Sequence, residues 1–253
     1  MPAVAESRMW DGLSAHALAR RCGVPRVEVF HETESTLDVA HAMATRGAES
    51  GTLVVADRQT AGRGRMGRTW SSAPGAGVWC TVIERPSDTA ALDVLSIRVG
   101  LGIAEALDAI AGERVGLKWP NDLIVAAGKL GGILIETRWS GEAINWVAVG
   151  VGVNVVAPAN VPGAAGLIAA PGSRVAVLAA IVGAVRAAAA RIGHLSPDEE
   201  ARYAARDALR GKQIAEPAAG TVAGIAPTGE LLVTQPNRIA RVRSGTIRLA
   251  EDS

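Results

Sequence analysis

Cysteine, aromatic residues and net charge are all scarce in this chain of 253 residues, and each scarcity argues against a class of protein. Only Cys22 and Cys80 are present, far apart, and no run of Cys or His has metal-ligand spacing. A disulfide scaffold and a structural zinc site are therefore not expected. With one Phe and one Tyr, the core has to be packed from Val, Leu, Ile and six Trp. A formal net charge of +1 is far from the basic excess of a surface built for nucleic acid, so any cationic function has to be local. The opening residues MPAVAESRMWDG lack the basic and apolar regions of a secretory signal, which makes the reducing cytoplasm the expected compartment. Ala143 to Ser173 carries no charge at all. Pro158, Pro162, Pro171 and several glycines interrupt it, so it reads as a buried strand followed by a loop and not as a membrane span.

What the chain does have is an alternation of short apolar runs and helical patterns. VEVF (Val27 to Phe30) reads as a strand, and STLDVAHAMATRG as a helix with Ser35 as N-cap, Asp38 in its first turn and Gly47 past its end. TLVVADRQ and GVWCTVIE are further strands, and Leu92 to Ile110 shows the apolar recurrence of a helix packed on a sheet. GLKWPNDLIVAAGKLGGILIETRW has the form of a hairpin turning near Ala126 to Lys129, and INWVAVGVGVNV that of a central strand. Arg174 to Ile192 is an alanine-rich helix, and Pro197 to Arg210 a second one with Pro and acidic residues in its first turn. From Gly211 only short β-like runs remain, TVAGIA, ELLVTQ and RIARVRSGTIRLA, separated by turn signals such as Pro227-Thr228-Gly229 and Pro236-Asn237. The expected organisation is an α+β protein with a helical lead-in over 1–26, a main domain over 27–210 and a small SH3-like barrel over 211–253. The segment LSAHALARRCGVPRVEV has the look of a helix-turn-helix, but too little chain precedes Val27 to build its three-helix core, and DNA binding is not expected.

One stretch stands apart. QTAGRGRMGR (59–68) runs straight out of a strand, its glycines free to approach a ligand closely and Arg63, Arg65 and Arg68 able to meet a polyanion through planar forks. Alone it fits either a nucleic-acid loop or a phosphate-handling loop. Its neighbours are EST (34–36), KWPNDL (118–123), GKLGGILIE (128–136) and GVGVN (150–154), in that order. The set resembles the biotin protein ligases, also called holocarboxylase synthetases, in the form lacking an N-terminal DNA-binding domain. The resemblance covers nearly the whole chain. It implies a mixed-sheet catalytic domain like that of class II aminoacyl-tRNA synthetases and a reaction in which biotin and Mg²⁺-ATP give biotinyl-5′-AMP. Biotin then passes to a lysine of a biotin carboxyl carrier domain; a homodimer through a sheet edge is compatible with the sequence, but no residue pattern demands it. The residues suit such chemistry independently, because a carboxylate and a triphosphate repel each other and need cations where they meet. Arg63, Arg65, Arg68, Lys118 and Lys129 are available.

The resemblance also implies roles. Ser35, Thr36, Leu37 and Gln59 would hold the biotin ring, and Arg63, Gly64 and Arg65 would close over biotin and the phosphates. Lys129, Arg65 and Asp122 would be catalytic, with Mg²⁺ carried by ATP and met by Asp122 rather than by a protein cluster. Arg63, Arg65, Arg68, Trp70, Lys118, Asn121, Asp122 and Asn154 would face the nucleotide. Plainer readings stand beside these: Ser35 as a helix cap, Lys129 as a hairpin-turn lysine, Asn121-Asp122 as a polar turn, Trp70 as core and Asn154 as a strand end. The chain departs from the family pattern at Leu37, where Asn is usual, and at Met66, where Arg is frequent. A lipoate or octanoate ligase of the same fold and a nucleic-acid module using the same arginines remain the alternatives.

Overall fold

A computed structural model describes residues 9–126, 128–167 and 174–250. The chain begins with a small hairpin, β1 (Met9–Trp10) and β2 (Leu13–Ser14), and a helix, α1 (Ala15–Cys22). Ser14 caps that helix by accepting from the Ala17 N–H, and Gly23 closes it in the left-handed conformation that glycine adopts without strain. The lead-in is therefore not purely helical. Next come β3 (Val27–Thr33), α2 (Thr36–Thr45), β4 (Leu53–Gln59), a single 3₁₀ turn at Arg65–Gly67, β5 (Gly77–Glu84) and α3 (Leu92–Ala111). The expected hairpin after it has three strands instead of two: β6 (Gly116–Lys118), β7 (Asp122–Val125) and β8 (Gly128–Ser140). Trp119-Pro120-Asn121 makes the extra turn, and GLK is too short to show a strand period by itself. Strand β9 (Ala143–Asn154) follows, then α4 (Arg174–Ala189) and α5 (Pro197–Ala204), both shorter than their sequence patterns. The last part of the uncharged stretch, 168–173, lies outside the described residues.

Seven strands form one sheet in the order β3-β4-β5-β9-β8-β7-β6. Only β3 and β4 are parallel, with α2 as their crossover. That one choice positions the site. Parallel neighbours end at the same sheet edge, so Thr33 at the end of β3 lies beside Gln59 at the end of β4, and Ser35-Thr36 and the arginine loop leave the sheet together. The pairing continues past the strands, with Thr60 and Ala61 N–H donating to the carbonyls of Thr33 and Glu34.

The central strands are buried on both faces, as their near-continuous apolar runs require. Val55, Val78, Val82, Val149 and Val151 pack under α3 and α4 in the larger core. Val54, Ile83 and Trp146 point the other way, to Ala40, Met43 and Ala44 of α2. The alternation is the two-residue period of a strand. Beyond α5, β10 (Gln213–Glu216), β11 (Gly220–Ile225), β12 (Leu231–Gln235), β13 (Arg238–Val242) and β14 (Arg248–Leu249) form a five-stranded antiparallel sheet, ordered β13-β12-β11-β10-β14. Its Ile214, Val222, Leu231 and Val233 join the larger core, and the Trp119 indole N–H donates to the Gly229 carbonyl at 2.9 Å. No helix among the described residues is long and apolar enough to cross a membrane.

Candidate functional site

The edge where β3 and β4 end together opens into a cleft on the α2 face of the sheet, with an empty volume of about 1020 Å³, mouth included. Ser35, Thr36 and Gln59, with the apolar Leu37 beside them, form its uncharged end. Gln59 is held from both sides. Its backbone bonds Ser72 Oγ in both directions, and its Oε1 accepts from the Thr36 N–H at 2.9 Å and from Thr36 Oγ1 at 3.1 Å. Thr81 Oγ1 in turn donates to Thr36 Oγ1 at 2.9 Å. The side-chain amide nitrogen of Gln59 is thereby aimed as a donor. Ser35 corrects its plainer reading: it stands at the N-cap position of α2, but its hydroxyl makes no capping bond and is buried without a partner among the described residues. A buried hydroxyl left unsatisfied is costly, and a ligand group in the cleft would satisfy it. Leu37 lies in the first turn of α2, buried against the bare backbone of Gly150, where an added Cβ would come within 3.1 Å of it.

The outer end is cationic. Arg65, Arg68, Lys118 and Lys129 line the wall there, with Asp122 as the single carboxylate among the cleft's described residues, and Arg63 lines it nearer α2, where Asp38 holds it. Lys129 extends from the start of β8 to Asp122 at 2.7 Å, with its ammonium 5.4 Å from the centre of the Trp70 ring. Both groups of that pair remain partly open to solvent, 38% and 22% exposed. Arg65 donates weakly to Asn121 Oδ1 at 3.5 Å. Burial lowers its pKa from the ordinary guanidinium value, Asp122 opposing the shift and Arg68 adding to it. Arg68 turns outward to the hydroxyl of Thr246 in the C-terminal sheet segment. The arginine loop is thus folded back on itself, with Met66 in a left-handed conformation (φ 57°) and its side chain exposed.

Between these ends the floor is made of glycine. Gly132 and Gly152 face each other across β8 and β9, and Gly150 is paired with Leu134 beside them. Trp70 lies flat on this bare backbone: a Cβ at Gly152 would stand 2.7 Å from its indole nitrogen. That nitrogen has no hydrogen-bond partner among the described residues. Trp70 is therefore half platform and half core, packed edge-on to Trp79 with ring centres 6.2 Å apart.

The structure brings the expected residues together with one exception. Asn154 is buried outside the cleft wall, and its amide nitrogen donates to the carbonyls of Ala165 at 3.0 Å and Lys129 at 3.4 Å. It is the strand-end residue of the plainer reading, anchoring the chain beside Lys129. Several participants were not anticipated. Thr81 and Ser72 set Gln59, and Thr246 reaches the loop from far along the chain. His41, Glu136 and Asp38 bear on Arg63. Glu136 ends the GKLGGILIE motif, so a signal for it was present in the sequence.

Known proteins share this sequence and fold. A family model described as the biotin/lipoate A/B protein ligase family matches residues 29–154. The chain is similar to the biotin--[acetyl-CoA-carboxylase] ligase of Mycobacterium tuberculosis, with 33% identity over 243 residues covering 89% of each protein. It is also similar to the bifunctional ligase/repressor BirA of Bacillus subtilis, at 35% identity over 60% of this chain and 46% of that protein, so it spans about half the length of that relative. Among solved structures, the biotin protein ligase from Aquifex aeolicus in complex with biotin and ATP superposes with a TM-score of 0.74 at 26% identity, covering 88% of this chain and 99% of the other. Sequence, fold and relatives together make the chain a member of the biotin/lipoate A/B protein ligase family, on its biotin protein ligase branch.

Proposed function

We propose that the protein activates biotin with ATP to biotinyl-5′-AMP and transfers the biotinyl group to a lysine of a biotin carboxyl carrier domain. The observation that carries this reading is the division of one cleft into an uncharged hydrogen-bonding end and a strongly cationic end. A neutral ureido ring offers both donors and acceptors, and the Ser35 hydroxyl, the Thr36 hydroxyl and the Gln59 amide are suited to it. The carboxylate tail then points along the cleft toward the cations, where a triphosphate can be met without repulsion.

In the first step a biotin carboxylate oxygen forms a bond to the α-phosphorus while the bond to the bridging oxygen breaks and pyrophosphate leaves. Lys129 is placed to leave Asp122 and follow the negative charge from carboxylate to leaving oxygen. Arg65 and Arg63 close the cleft from the loop side, and Lys118 and Arg68 add positive potential at its mouth. Mg²⁺ enters as part of the ATP complex, and Asp122 with Asn121 supplies the oxygen donors of the wall. Trp70 is offered as a platform for the flat part of a ligand. In the second step the uncharged amine of the carrier lysine attacks the acyl carbon, AMP leaves and a proton is lost to solvent. The C-terminal sheet is read as the SH3-like barrel, a separate small domain over 211–253, set on a main domain of class II synthetase type. Biotin-dependent pyrophosphate release, with biotinyl-5′-AMP detected by mass, tests the reading. Release driven by lipoate but not by biotin overturns the substrate assignment.

A further inference from the structure

Arg63 is the one loop arginine gripped by carboxylates on two different elements. Its guanidinium lies 2.8 Å from Asp38, in the first turn of α2, and 3.3 Å from Glu136 Oε1 on β8. Neither carboxylate lines the cleft. Glu136 is itself held from behind. Its Oε2 is 2.8 Å from His41 Nε2, and His41 Nδ1 is 2.9 Å from the indole nitrogen of Trp146. An indole N–H can only donate, so His41 Nδ1 is the acceptor and the proton of the neutral imidazole sits on Nε2, pointing at Glu136. The directions along the chain are thereby fixed: Trp146 donates to His41, His41 donates to Glu136, and Glu136 keeps its other oxygen for Arg63. Trp146 and the His41 side chain are largely buried, at 8% and 12% exposure, so the origin of the chain belongs to the α2 core and not to the solvated surface. Arg138, the other cation near Glu136, is half exposed and 3.8 Å away.

We infer that His41 and Glu136 are positioning residues that set the Arg63 guanidinium, and with it the near end of the arginine loop, at the height where it closes on biotin. This rests on the biotin ligase reading. The network acts on how the loop is held, so its loss weakens ligand retention while the reacting cations Lys129 and Arg65 stay in place. Removing an uncharged donor two bonds from the loop should act through Glu136 alone.

The experiment compares Glu136→Gln, His41→Ala and His41→Gln with the unaltered full-length chain, each also in an Arg63→Ala background. Glu136→Gln should raise the biotin KM about fivefold, the scale of one half-exposed charged contact, with kcat for pyrophosphate release nearly unchanged. His41→Ala should do the same, and His41→Gln, whose amide can still donate to Glu136, should recover most of the loss. In the Arg63→Ala background none of the three should have a further effect. A fall in kcat with KM unchanged, or full additivity with Arg63→Ala, overturns the inference, as does a His41→Gln variant no better than His41→Ala. A second readout does not need the activity: trypsin should cut the loop at its arginines several times faster in Glu136→Gln than in the unaltered protein. If biotin gives no pyrophosphate release at all but this cleavage difference appears, the substrate reading has failed and the positioning stands. Equal cleavage with normal biotin turnover sinks the positioning alone.

Discussion

Arg98 and Lys129 carry the same charge on opposite faces of one sheet, and their surroundings could hardly differ more. Arg98, in α3, is 4% exposed and bonded through all three of its nitrogens. It meets both oxygens of Glu199 at 2.9 and 3.1 Å and the carbonyls of Gly193 and His194 at 2.9 and 2.6 Å. Glu199 also closes the capping box of α5 with Ser196. Lys129 has one carboxylate, an aromatic face and open solvent. A buried cation held through each of its nitrogens ties chain segments together and has little left for a ligand. A cation with a single exchangeable partner costs little to detach and is ready for a new anion. The same contrast separates the staple between α3 and α5 from the Lys129 end of the cleft, where one exchangeable partner holds the charge.

The sharpest way to break the comparison is to exchange the consequences. Arg98→Ala leaves the buried Glu199 carboxylate with only the Ser196 N–H and a longer contact to Arg191 at 3.7 Å, and should cost about 3 kcal/mol of stability in urea denaturation. The fraction that remains folded should still form adenylate at close to the normal rate. Loss of activity without loss of stability would place Arg98 in the chemistry. Acid should expose the same staple. Burial by itself would raise the Glu199 pKa, but the Arg98 bonds and the Ser196 N–H outweigh it and bring it from 4.5 down to about 2. A carboxylate with a depressed folded-state pKa contributes stability that is fully present above its ordinary value and is lost as pH falls through the lower one. Roughly 3 kcal/mol should therefore disappear between those limits, and Glu199→Gln should flatten that part of the stability curve.

Lys129→Ala should show the reverse pattern. Its denaturation midpoint should stay near that of the unaltered protein, since half-exposed pairs contribute about 1 kcal/mol or less. Adenylate formation should fall at least about a hundredfold, the loss expected for one electrostatic stabiliser. Near-normal pyrophosphate release from the folded variant would remove Lys129 from the mechanism. The smallest effect belongs to Leu37. Gly150 leaves room for it, and asparagine is no larger, so Leu37→Asn should keep the fold and offer biotin one more hydrogen bond. The biotin KM should then drop about two- to tenfold with maximal rate unchanged. A rise in KM would mean that the apolar wall over Gly150 is itself part of the pocket.

Much of this architecture was legible in the sequence because its signals are local. The strand runs, the proline and acidic first turn of α5 and the arginine loop each declare themselves within a dozen residues. The gathering of Ser35, Gln59, Arg65, Asp122 and Lys129 in one cleft was accessible through the order of motifs. What stayed hidden depends on direction and distance. Gly116–Lys118 pairs as a strand only because β7 lies next to it. Asn154 sits at the right end of the right strand, but nothing in GVGVN says that its amide turns to Ala165. His41 reads as an ordinary polar residue on a helix, and only the indole of Trp146, 105 positions on, gives it a direction.

The contact between Arg68 and Thr246 has a consequence in time. It spans 178 positions of chain, and the Thr246 hydroxyl that accepts from Arg68 also lies beside Met66 at 3.6 Å. A ribosome delivers these partners in sequence order, so the loop emerges long before its anchor exists. Until then Arg68 lacks this contact, and the cleft lacks the Gly245–Ile247 part of its wall. The wall of this cleft is therefore completed late in the synthesis of each new chain.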